Sequence, residues 1–396
     1  MTSSTQIGIV GTGFIAKGLT RLILAHHADL NVCAALTRRP IESINDFPAA
    51  DVLTQSVEQL VDNSDLIVEC SGDPIHATIV VEKALAAGKP VVTMGAEFHV
   101  TVGTHFVGKG LLTEAEGDQP GCLAALHEDI IQMGFKPLVY GNMKGYLNHT
   151  PSRKDMNFWA DKQGFSVDQT TSFTDGTKLQ IEQAFIANGL GATISQQGME
   201  GLLHHEDTES AAKALGVIAE NIGRPIADFA VFAGQAPGVF ITATHDEAER
   251  GVLRNIKMGD GPHYVLVRNY HLCAIEIVKT IRRVLNGGGV LLDNSAKPEI
   301  SVAAIAKTGL QPGNKIQRGI GGFEVRGEAV KFDDSPKHVP IGVLHNAVIN
   351  RAIEPGQILN WDDVSLPESR AVEIAHEICL QAIPAEKNLR QQKAIR

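Results

Sequence analysis

The stretch QIGIVGTGFIAKGLT, residues 6–20, decides the fold. Residues 6–10 are a short apolar strand, and Gly11, Gly13, Ala16 and Gly18 follow at once, giving G-x-G-x-x-A where a strand turns into a helix. By itself such a pattern needs only a loop with positive backbone angles. The context decides, because Leu19, Leu22 and Ile23 give the following helix an apolar side and LNVCAALT (30–37) supplies a second strand at βαβ distance. In that unit Gly11 permits the tight turn, Gly13 lets the backbone approach a pyrophosphate, and Ala16 lets the helix pack on the strand. The dinucleotide is then received by Gly11, Thr12, Gly13, Phe14 and Ile15 at the helix N-terminus.

Working outward, the second strand ends at Thr37-Arg38-Arg39, where an NAD-preferring protein usually carries a carboxylate for the ribose hydroxyls. Two guanidinium groups suit a 2′-phosphate, so NADP(H) is expected over NAD(H), with the Thr37 hydroxyl as a further contact. Residues 64–98 repeat strand, glycine turn, helix and strand, which continues a doubly wound sheet. Cys70, Ser71 and Gly72 fall at a strand's carboxyl end, the edge where such sheets bind ligands. The fold class expected is α/β: a Rossmann domain over 1–135, a catalytic, substrate-binding and oligomerisation α/β domain over 136–290, and a small β-rich domain over 291–396.

With 396 residues, 43% hydrophobic and 20% charged, the chain is globular in composition and too long for one core. No apolar run is long enough for a membrane span, no signal-peptide pattern opens the chain, and five scattered cysteines form no CxxC, so a cytoplasmic protein with reduced thiols is expected. A formal charge of -10 disfavours nucleic acid, which leaves a small-molecule substrate, and a homo-oligomer, as the expected partners.

In the second domain, KPLVYGNMKG (136–145) reads as a strand opening into a polar loop that carries Asn142, Lys144 and Asn148. Lys144 is the first catalytic candidate, since an ammonium stabilises the oxyanion left by hydride addition and supplies its proton; Asn142 and Asn148 are expected to bind substrate. A helix expected to start at Asp175 would set Lys178 and Glu182 three and seven positions on, one face carrying acid, base and acid. Its other residues, Leu179, Ile181 and Ala184–Ala187 among them, predict a buried helix, and buried charges must serve each other or a ligand. Asp118, Asp175 and Glu182 are alternative ligands for a divalent cation. His204-His205-Glu206-Asp207 reads as a solvated polar loop rather than a metal site, and the 386–396 end as a frayed polar tail.

DLIVECSG (65–72), ALAAGKP (84–90) and VVT (91–93) resemble the first domain of homoserine dehydrogenases, although Met94-Gly95-Ala96-Glu97 replaces that family's Ala-Asn-Lys. Residues 117–148, SFTDGTKLQIEQAFIANG (172–189) and AVINRAIEPGQILNWDDV (347–364) resemble the deoxyxylulose-phosphate reductoisomerase-like oxidoreductases, the last segment being similar to SAF domains. The resemblance implies NADPH, a substrate helix beginning near Asp175, and an isoprenoid-type reaction in which deoxyxylulose phosphate is rearranged and reduced. A sugar phosphate, polyol or sugar acid is the substrate class expected. A homoserine-dehydrogenase-like activity on a hydroxy or amino acid and a nonenzymatic NADP-binding regulatory protein are the alternatives.

Overall fold

A computed structural model describes residues 4–203 and 207–382; His204, His205, Glu206 and the 386–396 tail lie outside the described residues. The first sheet is built from β1 (Thr5–Val10), β2 (Leu30–Leu36), β3 (Leu53–Thr54), β4 (Leu66–Glu69), β5 (Val91–Thr93) and β6 (Leu112–Glu114), with α1 (Phe14–His26), α2 (Val57–Asn63), α3 (Pro74–Ala86) and α4 (Ala96–Val102) between them. All its pairings are parallel, in the order β3-β2-β1-β4-β5-β6. The order reverses between β1 and β4, which opens a crevice at their carboxyl ends. Local chemistry agrees with the elements: Ser56 caps α2, and Asp73 caps α3 ahead of Pro74 at its first turn.

The second sheet has the order β11-β10-β7-β9-β8. Its elements are α5 (Gln119–Gln132), β7 (Lys136–Lys144), α6 (Arg153–Gln163), α7 (Val167–Thr174), α8 (Thr177–Gly189), β8 (Leu202–Leu203), α9 (Thr208–Ile222), β9 (Ile226–Val231), β10 (Gly238–Thr244), α10 (Arg250–Asn255) and β11 (Tyr264–Arg268). β7 runs parallel to β9 and antiparallel to β10. Val139 and Met143 of β7 face α9, while Tyr140 packs in the core shared with α8. The period of two therefore sends Asn142 and Lys144 to the α8 side.

Two helices pack away from the domain that sequence order gives them. The helix α5, placed by sequence order with the first domain, packs on β7, β10 and α8. Gly117 marks the passage: its φ is +117°, and a Cβ there would lie 2.1 Å from the Cys273 carbonyl oxygen. Helix α11 (Ile277–Leu285), assigned to the second domain, buries Ile277, Val278, Ile281 and Val284 in one core with Ile7, Ile9, Ala16, Leu19 and Ile23 of the first. Packing partners, which a local pattern does not contain, decide both cases.

The last region holds β12 (Ile300–Ala306), β13 (Lys315–Arg318), β14 (Val325–Lys331), β15 (His345–Ile349) and β16 (Val364–Ser365) in two antiparallel sheets, β12-β14 and β13-β15-β16. The chain then returns once more, with α12 (Arg370–Ala382) packed on α3 and α4. β14 grips the start of α8 directly: Gly327 N donates to Thr177 Oγ1 (2.9 Å) and Ala329 N to Gln180 Oε1 (2.8 Å). Beside them Lys307 Nζ lies 2.6 Å from Asp175 Oδ2, with both side chains almost wholly buried.

Removing one partner of a buried ion pair strands the other charge away from water, at a cost of about 3–5 kcal/mol. Lys307→Ala is expected to lose stability on that scale in urea unfolding, while Lys307→Met combined with Asp175→Leu recovers most of the loss. An unchanged midpoint for Lys307→Ala would show that the pair does not hold the C-terminal sheets to α8.

Candidate functional site

At the crevice, Gly11 has a φ of +106°, and a Cβ there would meet the Cys70 carbonyl oxygen at 3.1 Å. Open space lies over Gly13, with no atom within 4 Å of a Cβ placed on it, and no side chain caps the α1 N-terminus. A backbone cradle with uncapped amides fits a pyrophosphate. Thr12 and Phe14 flank it, and Cys70, Ser71 and Gly72 follow β4 directly opposite Gly11. The arginines of the second strand's end diverge: Arg39 Nη2 donates to Thr12 Oγ1 (2.9 Å) and its backbone N to Thr37 Oγ1 (3.1 Å), whereas Arg38 Nη1 donates to Asp73 Oδ2 (2.7 Å).

Three successive strands of the first sheet deliver carboxylates to this edge. Glu69 ends β4, Glu97 sits in the first turn of α4 after β5, and Asp118 precedes α5 after β6. Glu69 accepts from Ser71 N (2.8 Å) and from the Thr93 hydroxyl (3.3 Å), and burial pushes its pKa up to about 7. From the other side α8 inserts Lys178, whose Nζ lies 3.0 Å from Glu97 Oε1, 3.0 Å from Asp118 Oδ2 and 3.9 Å from Glu182 Oε1. Lys144 Nζ, at the end of β7, is 3.8 Å from Glu182 Oε2, which also accepts from Asn142 Nδ2 at 2.9 Å. Gln119 Nε2 donates to Asn142 Oδ1 (3.1 Å); with its amide turned over, it donates instead to Glu182 Oε2 (3.0 Å).

The electrostatics separate these groups. Burial works against the Lys178 ammonium, but Asp118, Glu97 and Glu182 outweigh it and hold the pKa well above the usual lysine value. Burial pushes Glu182 up to about 7, with Lys144 and Lys178 pulling the other way. Asp118 is also opposed by burial, yet Lys178 keeps it below the usual carboxylate range. Lys178 is therefore a fixed charge, and Glu182 a group that titrates near neutrality. Deeper in, the Glu114 and His99 side chains lie 3.6 Å apart, fully buried and without hydrogen-bond partners; burial raises the Glu114 pKa well above its usual value and lowers that of His99 to about 3, favouring the neutral form of each.

Of the residues singled out in the sequence, Lys144, Lys178, Glu182, Asn142 and Asp118 come together. Asp175 does not: α8 starts at Thr177, because Gly176 turns the chain at φ +87°, and Asp175 ends α7 facing Lys307 instead. Asn148 is also apart, its Oδ1 accepting from Thr150 N (3.1 Å) in the loop after β7. The cation triad Asp118, Asp175 and Glu182 is thus not assembled, the Lys178 ammonium fills the gap between Asp118 and Glu97, and no group of three metal-ligating side chains occurs among the described residues. Sequence reasoning gave Glu69, Glu97, Glu114 and Gln119 no place in the cluster. A signal existed for Glu69, the one charged residue closing the run Leu66-Ile67-Val68, and none for Glu97, whose partner is 81 positions away.

The chain is an oxidoreductase with a nicotinamide-dinucleotide-binding domain, as two family models show. Residues 11–100 match the family described as "Homoserine dehydrogenase, NAD binding domain", and residues 117–277 match "Oxidoreductase DRL, catalytic domain". No curated protein sequence matches the chain. Among solved structures, a homoserine dehydrogenase from Thiobacillus denitrificans is 15% identical, with 83% of this chain and 91% of that one covered and a TM-score of 0.44. The UDP-N-acetylglucosamine 3-dehydrogenase GnnA from Acidithiobacillus ferrooxidans is 12% identical (74% and 92% covered, TM-score 0.43), and a dihydrodipicolinate reductase from Paenisporosarcina sp. TG-14 is 13% identical (72% and 97%, TM-score 0.38). No helix among the described residues is long and apolar enough to cross a membrane.

The raised pKa of Glu69 has a consequence for stability. An acid with a higher pKa in the folded state contributes fully below its unfolded value of 4.5, and that contribution is lost as pH rises through about 7. Glu69→Gln is therefore expected to gain stability relative to the parent between pH 5 and 8, by up to about 3 kcal/mol in urea unfolding. A constant difference between the two proteins across that range would show that Glu69 is ionised throughout.

Proposed function

We propose that the protein is an NADP(H)-dependent dehydrogenase or reductase of a small polyhydroxylated substrate, in which hydride transfer interconverts an alcohol and a carbonyl at the Lys144–Lys178–Glu182 cluster. One observation carries the reading: a buried lysine held between three carboxylates, beside a second lysine, on the edge where the nucleotide cradle opens. The nicotinamide, when bound, gives or takes the hydride. Lys178 offers a permanent positive charge to the substrate oxygen, whose negative charge grows on reduction. Lys144 and Glu182 hold the proton that the same oxygen gains or loses, Glu182 because its pKa of about 7 lets it exist in both states near neutrality.

Glu97, Asp118 and Glu182 against Lys144 and Lys178 leave the cluster one negative charge in excess when all are ionised. That balance favours substrate hydroxyls, which donate to carboxylates, at the reacting end, and any phosphate or carboxylate of a sugar phosphate or sugar acid lies outside it. The reading is hydride transfer alone; the skeletal rearrangement of a reductoisomerase finds no dedicated group in the cluster. NADP(H) is favoured by Arg39, which is held at the Thr12–Thr37 corner where a ribose 2′-phosphate would lie.

Lys178→Met is expected to lower kcat by roughly 100–1000-fold, and Glu182→Gln to remove the transition near pH 7 from the kcat/KM profile, measured by NADPH absorbance across a panel of polyols, sugar acids, sugar phosphates and homoserine. Turnover with homoserine would move the assignment to an amino-acid dehydrogenase. Full activity of Lys144→Ala and Lys178→Ala on every substrate accepted would remove the cluster from the chemistry. For the cofactor, Arg39→Ala is expected to weaken NADPH binding by about 10–100-fold while leaving NADH nearly untouched; fluorescence titration measures both, and equal losses would refute the NADP preference.

A further inference from the structure

A second site lies at the seam between α6–α7 and the C-terminal sheets, where an open cleft of about 530 Å³ is lined by both regions. Arg153 and Asp168 come from the catalytic side, and Lys315, Arg318, Phe323 and His345 from the C-terminal side. The two regions are in tight contact at its floor, since a Cβ on Gly321 would lie 2.2 Å from the Asp168 carbonyl oxygen.

The charges in the cleft do not cancel. Arg318 is paired with Asp168 at 3.0 Å, and Glu324 Oε2 accepts a backbone N–H from Phe323 at 3.1 Å. Arg153 and Lys315 have no carboxylate within 4.0 Å among the described residues. Arg153 is also held in place: its guanidinium carbon lies 4.2 Å from the Phe323 ring centroid. Stacking covers one face of the guanidinium and leaves its planar N–H edge free, the arrangement that takes a carboxylate or phosphate in bidentate fashion.

We infer that this cleft binds a small multivalent oxyanion, bearing phosphate or carboxylate groups, which bridges Arg153 of the catalytic domain to Lys315 of the C-terminal domain. This site is separate from the nucleotide crevice and does not rest on the proposed activity. A physical path nonetheless joins it to the cluster: Gly322, in the cleft wall, accepts from Lys307 Nζ at 2.7 Å, Lys307 pairs with Asp175, and Asp175 leads through Gly176 into the helix that carries Lys178 and Glu182. An anion that closes the seam therefore bears on the support of α8.

The experiment is calorimetric titration of the full chain, in an Arg39→Ala background that disables the cofactor's phosphate corner, with inorganic phosphate in one arm and citrate in the other. Saturable binding in either arm is expected, weakened at least about tenfold by Arg153→Ala/Lys315→Ala and unaffected by Lys213→Ala/Arg250→Ala, a control pair of exposed cations elsewhere. The stronger arm identifies the headgroup. Arg153→Lys keeps the charge but loses the stacked fork, so an intermediate loss is expected, which also guards against a double variant that fails to fold. Equal affinity in parent and double variant, equal losses in the control pair, or no saturable binding of either anion would overturn the inference.

Discussion

A lysine ammonium taken out of water must be repaid by neighbouring charge, and in this protein the repayment comes from three different places in the chain. Lys178 is 8% exposed, on a helix whose residues Thr177–Asn188 are all buried. Glu97 and Asp118 reach it from behind two adjacent strands of the nucleotide-binding sheet, and Glu182 from one turn further along its own helix. Each carboxylate is in turn stabilised by the ammonium, so that the loss of any one unbalances the rest. The first domain's carboxyl edge and the second domain's central helix are consequently locked together at the same point where the nucleotide cradle opens. The geometry of the proposed site and the docking of the domains are one set of contacts.

The support of α8 extends on its other side. Asp175, Thr177 and Gln180 are held by Lys307, Gly327 and Ala329, so the start of the helix belongs as much to the C-terminal sheets as to its own domain. A helix with no exposed face has no freedom to shift by itself; it moves only if the sheets around it move. The small C-terminal region is thereby part of what fixes the position of Lys178 and Glu182, although it contributes no side chain to the cluster.

How much of this the sequence discloses depends on the range of the interaction. The βαβ opening is local, and its glycine turn, apolar helix side and second strand stand where the periodicity puts them. Lys178 and Glu182 are legible because four residues on an apolar helix bring two charges together in a place without water. Asp175 misleads for an equally local reason: its Oδ1 does accept from Thr177 N at the helix start (2.8 Å), but Gly176 takes the left-handed turn and the helix begins only at Thr177, which leaves Oδ2 to Lys307 rather than to the Lys178–Glu182 face. Glu97 and Lys307 carry no sign of their roles, since their partners are far away in sequence and nothing near them is periodic. The same holds for α5 and α11, which sequence order assigns to the nearer domain and packing assigns to the other. Strands as short as β3, β6 and β16 are held by their neighbours in the sheet rather than by any propensity of two or three residues.

The return of α11 and α12 to the first domain bears on how the chain is made. Helix α1 meets its packing partners Ile277 and Ile281 only after the catalytic domain has been synthesised, and α3 and α4 are covered by α12 later still. A ribosome delivers residues in order, so the nucleotide-binding sheet emerges before α11 and α12 and waits, with apolar flanks uncovered, for both. The nucleotide-binding sheet is thus completed by helices that lie far behind it in the chain, which leaves the α1 and α3 surfaces uncovered on the nascent chain until α11 and α12 arrive.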